Sequence, residues 1–294
     1  MQIVAAGVSG FLGGHLVRRL RDGGHEVTRL VRRPATAPDE LSWEPGRADV
    51  RLPAGTDVVV NLAGAGVGAR RWTAAYKDVI RRSRVDTTAT LTRAVAATDP
   101  PPVLLNSSAV GWYGDTGDRV VTEDAPAGEG FLAEVCRVWE AATTAAEDAG
   151  ARVVLLRTGM PLAGSGGLLK PLLPLFRLGL GGRLGSGRQY MPWLSLADWL
   201  DAVEFLLDRP GITGPVNLVG PAPATNAEFT KALGRALRRP AALLVPAPAL
   251  RIAVGEFGAE AVAGQRALPA VLTQAGFTFT HPDLDTALPW ALTH

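Results

Sequence analysis

The chain has 294 residues, of which 47% are hydrophobic and 20% are charged, and its formal net charge is +2. This length and composition predict a chain that buries a full core, and the small net charge with only 6% aromatic residues argues against a nucleic-acid-binding surface. The single cysteine, Cys136, excludes an intramolecular disulfide and a cysteine-based metal cluster, and we expect no metal site.

No apolar run reaches the roughly 18 residues that a membrane-spanning helix requires. The N-terminus leads directly into a strand pattern and carries no cleavable signal pattern. We therefore expect a cytoplasmic protein with neither nucleic acid nor a membrane as its partner.

A glycine-rich turn joins the first predicted strand, at residues 2–6, to a helical pattern at 11–20. In the run Gly7-Val8-Ser9-Gly10-Phe11-Leu12-Gly13, the first glycine permits a tight turn, the second lets the backbone approach a phosphate, and the third lets the helix pack close to its strand. The positive end of the helix then faces the anion. The alternative is an ordinary glycine-rich loop. The predicted contacts to a dinucleotide cofactor are Gly7, Ser9, Gly10, Phe11, Leu12 and Gly13.

The second predicted strand, at residues 26–31, ends in Arg32-Arg33. Sites that prefer NAD usually carry an acidic residue here, because it binds the ribose 2′-hydroxyl, whereas a basic residue accommodates a 2′-phosphate. This predicts NADP(H) as the cofactor, with Arg32 as the main contact and Arg33 as support. The alternative is a solvated basic loop.

Strand and helix patterns then alternate. After a Pro-rich linker at 34–53, the predicted strands are 57–62, 103–107 and 153–157, and the predicted helices are 73–98 and 130–148. This alternation predicts an α/β fold, a Rossmann-type doubly wound parallel sheet covered on both faces. Small residues after the third strand would let the cofactor lie across it, and they add Leu62, Ala63 and Gly64 to the predicted contacts.

Glycine and proline become frequent beyond residue 160, where loops bracket an apolar stretch at 168–178. Further helical patterns lie at 196–208, 226–238 and 248–263, with a strand pattern at 215–219. We interpret 1–160 as the NADP-binding domain, to which later segments return. Residues 161–294 are interpreted as mainly a smaller substrate lobe and a C-terminal extension.

Several motifs occur in the order seen in extended short-chain dehydrogenases/reductases. Besides the first turn, they are Asn61-Leu62-Ala63-Gly64, Ser107-Ser108-Ala109-Val110, Arg157-Thr158-Gly159 and Gly214-Pro215-Val216-Asn217-Leu218. The chain resembles the NAD(P)-dependent epimerase/dehydratase family. Gly111-Trp112-Tyr113-Gly114 and Gly264-Gln265-Arg266-Ala267-Leu268-Pro269 narrow the resemblance to an atypical branch described as sugar-nucleotide epimerases, which has a conserved C-terminal extension.

The chain departs from the family at the catalytic pair. Active members use a Tyr-x-x-x-Lys pair, in which the lysine lowers the pKa of the tyrosine so that it transfers protons near neutral pH. No such pair exists here. Counted from Glu140, a landmark of the same helix in the family, the two positions hold Leu132 and Cys136. The usual proton relay is therefore absent.

The resemblance implies a substrate-facing hydroxyl at Ser108, with Ser107 as the alternative if the register differs by one. A strand-end cap is the other interpretation of Ser108. Three residues could replace the missing acid, and each has a structural alternative: Tyr113 as a loop anchor, Glu134 as a solvated helix residue and Cys136 as a small buried side chain.

The resemblance also places further side chains near the ligands. It implies Arg84, Ser107 and Met160 as cofactor neighbours, although a surface salt bridge is the alternative for Arg84. Tyr190 and Trp193 are expected to contact substrate, the alternative being that they anchor the core.

The resulting hypothesis is an NADP(H)-dependent oxidoreductase or epimerase-like enzyme. Its partner would be a small-molecule substrate, a carbonyl or alcohol compound or a nucleotide sugar, and the protein would be a monomer or homodimer. The alternative hypothesis is a non-catalytic NADP(H)-binding sensor or regulatory protein.

Overall fold

A seven-stranded parallel sheet forms the centre of the computed structural model, which describes residues 1–246, 248, 255–260 and 262–294. Its strand order is β13-β7-β5-β4-β1-β2-β3. The strands are β1 (Gln2–Ala6), β2 (Glu26–Val31), β3 (Glu40–Ser42), β4 (Val58–Asn61), β5 (Val103–Ala109), β6 (Val120–Val121), β7 (Val153–Thr158), β8 (Met160–Ala163), β9 (Gly166–Gly167), β10 (Gly182–Leu184), β11 (Tyr190–Met191), β12 (Trp193–Ser195), β13 (Gly214–Leu218), β14 (Ala224–Thr225), β15 (Leu243–Val245) and β16 (Arg266–Ala267).

Helices cover both faces of this sheet. They are α1 (Phe11–Asp22), α2 (Ala74–Ala96), α3 (Phe131–Ala141), α4 (Thr144–Asp148), α5 (Leu169–Arg177), α6 (Leu196–Leu207), α7 (Asn226–Leu237), α8 (Phe257–Glu260), α9 (Ala270–Gln274) and α10 (Leu284–Thr293). Because side chains alternate along a strand, Ile3 joins a core with α1 and α6, whereas Val4 joins a core with α2 and α4. The predicted doubly wound α/β fold is confirmed.

Two elements that follow residue 160 complete this sheet. Strand β13 pairs in parallel with β7, and α6 buries Trp199 and Val203 in the same core as α1. The central sheet and its covering helices are therefore built from both parts of the chain.

A second lobe packs beyond the carboxyl ends of the strands. Its small sheets are β8 with β9 and β12, β11 with β14, and β10 with β15. Helices α5, α7 and α10 enclose a separate core that contains Phe176, Phe229 and Leu288. In the described parts of the chain, no helix is long and apolar enough to cross a membrane.

The structure differs from the sequence prediction in several places. The predicted helix 130–148 is interrupted after α3, where the Thr143 hydroxyl donates to the Glu140 carbonyl at 2.7 Å. The Pro-rich linker contains the short strand β3, and α9 and α10 were not predicted. Of the predicted helix 248–263, much lies outside the described residues, and the described part contains α8.

Candidate functional site

Two of the three glycines of the first turn, Gly7 and Gly13, occupy positions that exclude larger residues. Gly7 has a φ of +78°, and a Cβ added there would lie 2.4 Å from the Leu62 carbonyl group. A Cβ on Gly13 would lie 2.4 Å from the Gly7 oxygen. The turn itself is closed by a hydrogen bond from the Gly10 amide to the Gly7 oxygen at 3.0 Å. The turn therefore holds β1, β4 and α1 in close contact.

The N-terminus of α1 is arranged as an anion site. Its N-cap, Gly10, offers no side chain to bond the first-turn amides, and the first turn contains no acidic residue. Ser9 and Gly10 are exposed, and Phe11 and Leu12 are half-buried. Because nothing in the cap neutralises the partial positive charge of this helix end, the amides are available to a phosphate.

The strand end beside this turn is shaped by a buried amide pair. The Asn61 amide donates to Asn106 at 2.7 Å, and its oxygen accepts from the Ala63 amide at 3.1 Å. These bonds fix the course of the chain as it leaves β4, where Leu62 and Ala63 are half-buried and Gly64 is exposed. Leu62, Ala63 and Gly64, which were predicted to contact the cofactor, thus lie next to the turn and are at least partly exposed.

The two arginines after β2 have different surroundings. Arg33 is held by the Glu40 carboxylate through two hydrogen bonds of 2.8 and 2.6 Å. This guanidinium lowers the pKa of Glu40 to about 2. Arg32 is exposed and has no hydrogen-bond or ion-pair partner within the described residues. Arg32 is therefore the arginine of the two that is available to a ligand.

Arg84, on α2, lies against Gly64. A Cβ on that glycine would be 3.4 Å from the guanidinium carbon, and the guanidinium stacks over the Trp139 ring at 5.0 Å. One of its nitrogens donates to the carbonyls of Ala65 and Ile80, each at 3.0 Å. Burial lowers the pKa of Arg84, and no carboxylate pairs with it in the described part of the chain. The surface salt bridge considered for this residue does not form there.

Successive side chains at the end of β5 point in opposite directions. Ser107 is half-buried, and its hydroxyl has no hydrogen-bond partner among the residues described. Ser108 is 3% exposed and donates to the Glu140 carboxylate at 2.5 Å. The structure therefore buries the Ser108 hydroxyl against a carboxylate, in the manner of a strand-end cap, and leaves Ser107 partly accessible.

Behind Ser108 lies a buried charge pair that sequence reasoning missed. Arg157, on β7, binds both oxygens of Glu140 at 2.9 Å, and both side chains are buried. The arginine also donates to the Tyr113 hydroxyl at 3.1 Å and stacks over the Trp112 ring at 4.1 Å. No spacing rule predicts this pair, because α3 and β7 meet only through the order of strands in the sheet. The signal present in the sequence was an arginine inside an otherwise apolar strand.

Each of the three candidate replacement acids has the surroundings expected of a structural role rather than of a proton donor. Tyr113 is buried and donates to Asn217 at 2.7 Å, and burial raises the pKa of its phenol. Cys136 is buried too, and burial raises the pKa of its thiol to about 12. Glu134 is exposed and pairs with Arg81 at 3.0 Å. Neither buried group has the accessibility that proton transfer to a substrate requires.

The predicted substrate contacts also separate into two kinds. Trp193 is 1% exposed in the core of the second lobe, which matches the core-anchor alternative and argues against substrate contact. Tyr190 is half-buried, and the Arg266 guanidinium lies 4.7 Å from its ring. Met160, at the start of β8, is half-buried as well. Tyr190 and Met160 thus keep part of their surface exposed.

Comparison with known proteins agrees with this geometry. The model of the NAD dependent epimerase/dehydratase family matches residues 3–220, and a model described only as a domain of unknown function matches residues 245–291. The epimerase family protein Mb2239 of Mycobacterium bovis is 49% identical, over 99% of this chain and 97% of its own length.

Two solved structures extend the comparison. The human epimerase family protein SDR39U1, crystallised with NADPH, has a TM-score of 0.92 and 32% identity, covering 100% of this chain and 99% of that one. A nucleoside-diphosphate sugar epimerase from Corynebacterium glutamicum has a TM-score of 0.83 and 36% identity, covering 99% of this chain and 58% of that one. With more than half of its length matched by the family model, this chain belongs to the NAD dependent epimerase/dehydratase family.

Proposed function

We propose that this protein binds NADP(H) and acts as an oxidoreductase or epimerase-like enzyme on a small-molecule substrate, a carbonyl or alcohol compound or a nucleotide sugar. The similarity to a human protein crystallised with NADPH and to a nucleoside-diphosphate sugar epimerase supports the proposal. A cytoplasmic location and a monomeric or homodimeric state stay predictions.

The observation that carries the proposal is Arg32, which has no partner among the described residues and follows the strand next to a helix N-terminus whose N-cap, Gly10, has no side chain. The first turn of α1 offers amides to the pyrophosphate, with Ser9 at its rim, and Arg32 offers a guanidinium to the 2′-phosphate. Arg33 supports the site indirectly, because its bonds to Glu40 hold the loop after β2. The residues fit this cofactor, which when bound supplies or accepts a hydride.

We assign the substrate-facing hydroxyl to Ser107. It lies one residue before the predicted Ser108, on the accessible side of the strand, and its hydrogen-bonding capacity is unused by the described residues. Such a hydroxyl can donate to a substrate carbonyl or accept from a substrate alcohol. Arg84 adds a positive charge near Gly64, where it can stabilise a phosphate or a developing alkoxide. Water supplies the proton in this arrangement.

The second candidate function is a non-catalytic NADP(H)-binding sensor. It is favoured by the side chains at the positions of the family's catalytic pair, where Leu132 is apolar and the thiol of Cys136 is held neutral by burial. A sensor needs the cofactor site but no proton donor.

Two neighbouring variants separate these functions. NADPH consumption would be followed against a panel of carbonyl compounds and nucleotide sugars for the wild type, Ser107→Ala and Ser108→Ala. We expect Ser107→Ala to lower kcat about tenfold or more with unchanged unfolding, because a hydroxyl that binds the reacting oxygen is lost. Ser108→Ala should lower stability and leave kcat of the folded protein nearly unchanged. Tight NADPH binding without turnover of any compound would favour the sensor.

Cofactor choice is tested with Arg32→Asp. We expect the Kd for NADPH to rise about tenfold to a hundredfold, since a charge-assisted contact to phosphate is lost, while NADH binding is retained or improved. The matched control is Arg51→Asp, an equally exposed arginine outside the proposed site. An unchanged Kd for NADPH in Arg32→Asp would remove Arg32 from the site.

A further inference from the structure

The second lobe exposes an apolar surface that the proposed function does not use. Five leucines on it are between 48% and 74% exposed, and Leu178 is the most exposed of them. They come from the end of α5, the loop that follows it, and β15: Leu175, Leu178, Leu180, Leu243 and Leu244.

Main-chain hydrogen bonds join the segments that carry these leucines, and the successive residues Leu243 and Leu244 point to opposite faces of β15. The Leu180 amide bonds the Leu175 oxygen at 2.9 Å, which folds the loop back onto α5. The Leu243 amide bonds the Gly181 oxygen at 3.2 Å, and β15 pairs with β10 along its length. Scattered exposed leucines are ordinary on a protein surface, whereas a continuous group marks an interaction site.

The segments that carry these leucines contain basic but no acidic side chains. No aspartate or glutamate occurs in residues 149–197 or 229–255, the segments that contain α5, β10, β15 and most of α7, although Asp285 of α10 pairs with Arg235 of α7. The same segments carry exposed basic side chains that have no carboxylate partner in the described regions: Lys170, Arg177, Arg183, Lys231, Arg238 and Arg239. Together with the five leucines they are named here the basic leucine face.

A recess of about 400 Å³ adjoins these leucines at the end of α7. Lys231, Arg235, Arg238 and Arg239 line it, with Pro240 and small residues. Arg235 is engaged by Asp285 at 2.7 Å, so three of its four cations are unpaired among the described residues. Gly179 lies against Pro240, which joins the recess to the loop that carries Leu178. An anionic headgroup can therefore enter the recess while leucines lie beside it.

We propose that the basic leucine face docks on the surface of an anionic phospholipid bilayer. Leucines would enter the boundary between headgroups and acyl chains, and the basic side chains would contact lipid phosphates. Docking requires only a surface, so it is compatible with the finding that none of the described helices could span a membrane. A second copy of the chain is disfavoured as the occupant, since two such faces would bring like charges together. The exposed apolar residues are leucines rather than the Tyr and Trp that dominate protein interfaces.

The test is sedimentation of the full-length protein with sucrose-loaded vesicles. Vesicles of phosphatidylcholine alone are compared with vesicles that also contain phosphatidylglycerol, at low and at high salt. We expect binding to the anionic vesicles only, weakened by salt. The double variant Lys231→Gln/Arg239→Gln should lose about 25-fold in partitioning, about fivefold for each basic residue removed from the surface.

A matched pair of variants tests the leucines. Leu178→Gln/Leu244→Gln should lower partitioning about tenfold or more, because apolar area no longer enters the bilayer. Val79→Gln/Val138→Gln removes two other exposed apolar side chains, 47% and 39% exposed, from α2 and α3, and it should bind vesicles as the wild type does. Thermal unfolding and circular dichroism establish that all variants fold.

Four results would overturn the proposal. They are no binding to anionic vesicles at low salt, equal binding to both vesicle types, undiminished binding by the leucine variant, and a wild-type dimer that the leucine variant dissociates. Binding of free glycerol 1-phosphate without binding of vesicles would also reject it, because the recess would then serve a soluble anion.

Discussion

Two arginines beside β5 occupy opposite kinds of surroundings. Arg157 and Arg84 each stack over a tryptophan ring, but Arg157 binds both oxygens of Glu140, whereas Arg84 bonds only main-chain carbonyls among the residues that the structure describes. A buried cation without a counter-ion is costly, and a bound anion can supply what the protein lacks. The comparison teaches that paired arginines hold this fold together, while unpaired ones are available to ligands. Arg33 and Arg32 repeat the contrast at the surface.

The largest effect is expected from Glu140→Gln. It leaves the buried Arg157 without its counter-charge, so the free energy of unfolding should fall by about 3–5 kcal/mol. Urea unfolding measures this. The control is Glu134→Gln on the same helix, which removes an exposed partner of Arg81 and should change stability by less than about 1 kcal/mol. Equal losses in the two variants would contradict a special role for the buried pair.

Arg84→Met should instead weaken ligand binding or turnover and leave stability nearly unchanged. We expect NADPH affinity or kcat to fall about tenfold to a hundredfold, because a charged contact to a ligand is lost. The free energy of unfolding should change by less than about 1 kcal/mol, because removal of a desolvated charge offsets the loss of two hydrogen bonds. Calorimetric titration with NADPH, steady-state kinetics and urea unfolding provide the readouts. Strong destabilisation with unchanged ligand binding and turnover would place Arg84 with the structural arginines.

The smallest effect concerns the pH dependence of stability. In the folded protein Arg33 holds the pKa of Glu40 at about 2, below its ordinary value of 4.5. The carboxylate therefore contributes stability above pH 4.5, and this contribution is lost as the pH falls from about 4.5 to about 2. Arg33→Gln should raise the pKa of Glu40 and flatten the stability profile in that window. NMR titration checks the pKa, and Arg32→Gln should leave it unchanged.

The elements that were predicted correctly are those whose own residues form a recognisable local pattern. The first turn, its strand and its helix were predicted because glycine spacing and apolar periodicity are local properties of the chain. Strand β3 was missed because it has only three residues inside a proline-rich segment. Helix α10 was missed because Pro289 lies inside it.

The sequence predicted those parts of the site that a local motif determines, but not those that depend on tertiary packing. The motif located the end of β5, but a shift of one residue reverses which hydroxyl faces the cleft, and the sequence left both Ser107 and Ser108 open. The pairing of Arg157 with Glu140 and the isolation of Arg84 depend on which strands and helices become neighbours. Neither relation has a fixed spacing along the chain.

The late return of β13 to the sheet has a consequence for biosynthesis. A nascent chain that has been translated only to residue 160 lacks both the edge neighbour of β7 and the helix α6 that packs on α1. Its Rossmann half would leave the ribosome with an open strand edge and an uncovered apolar face. These surfaces stay uncovered until about sixty more residues have been added. During this interval the nascent chain is most prone to aggregation, and chaperone binding would protect it most.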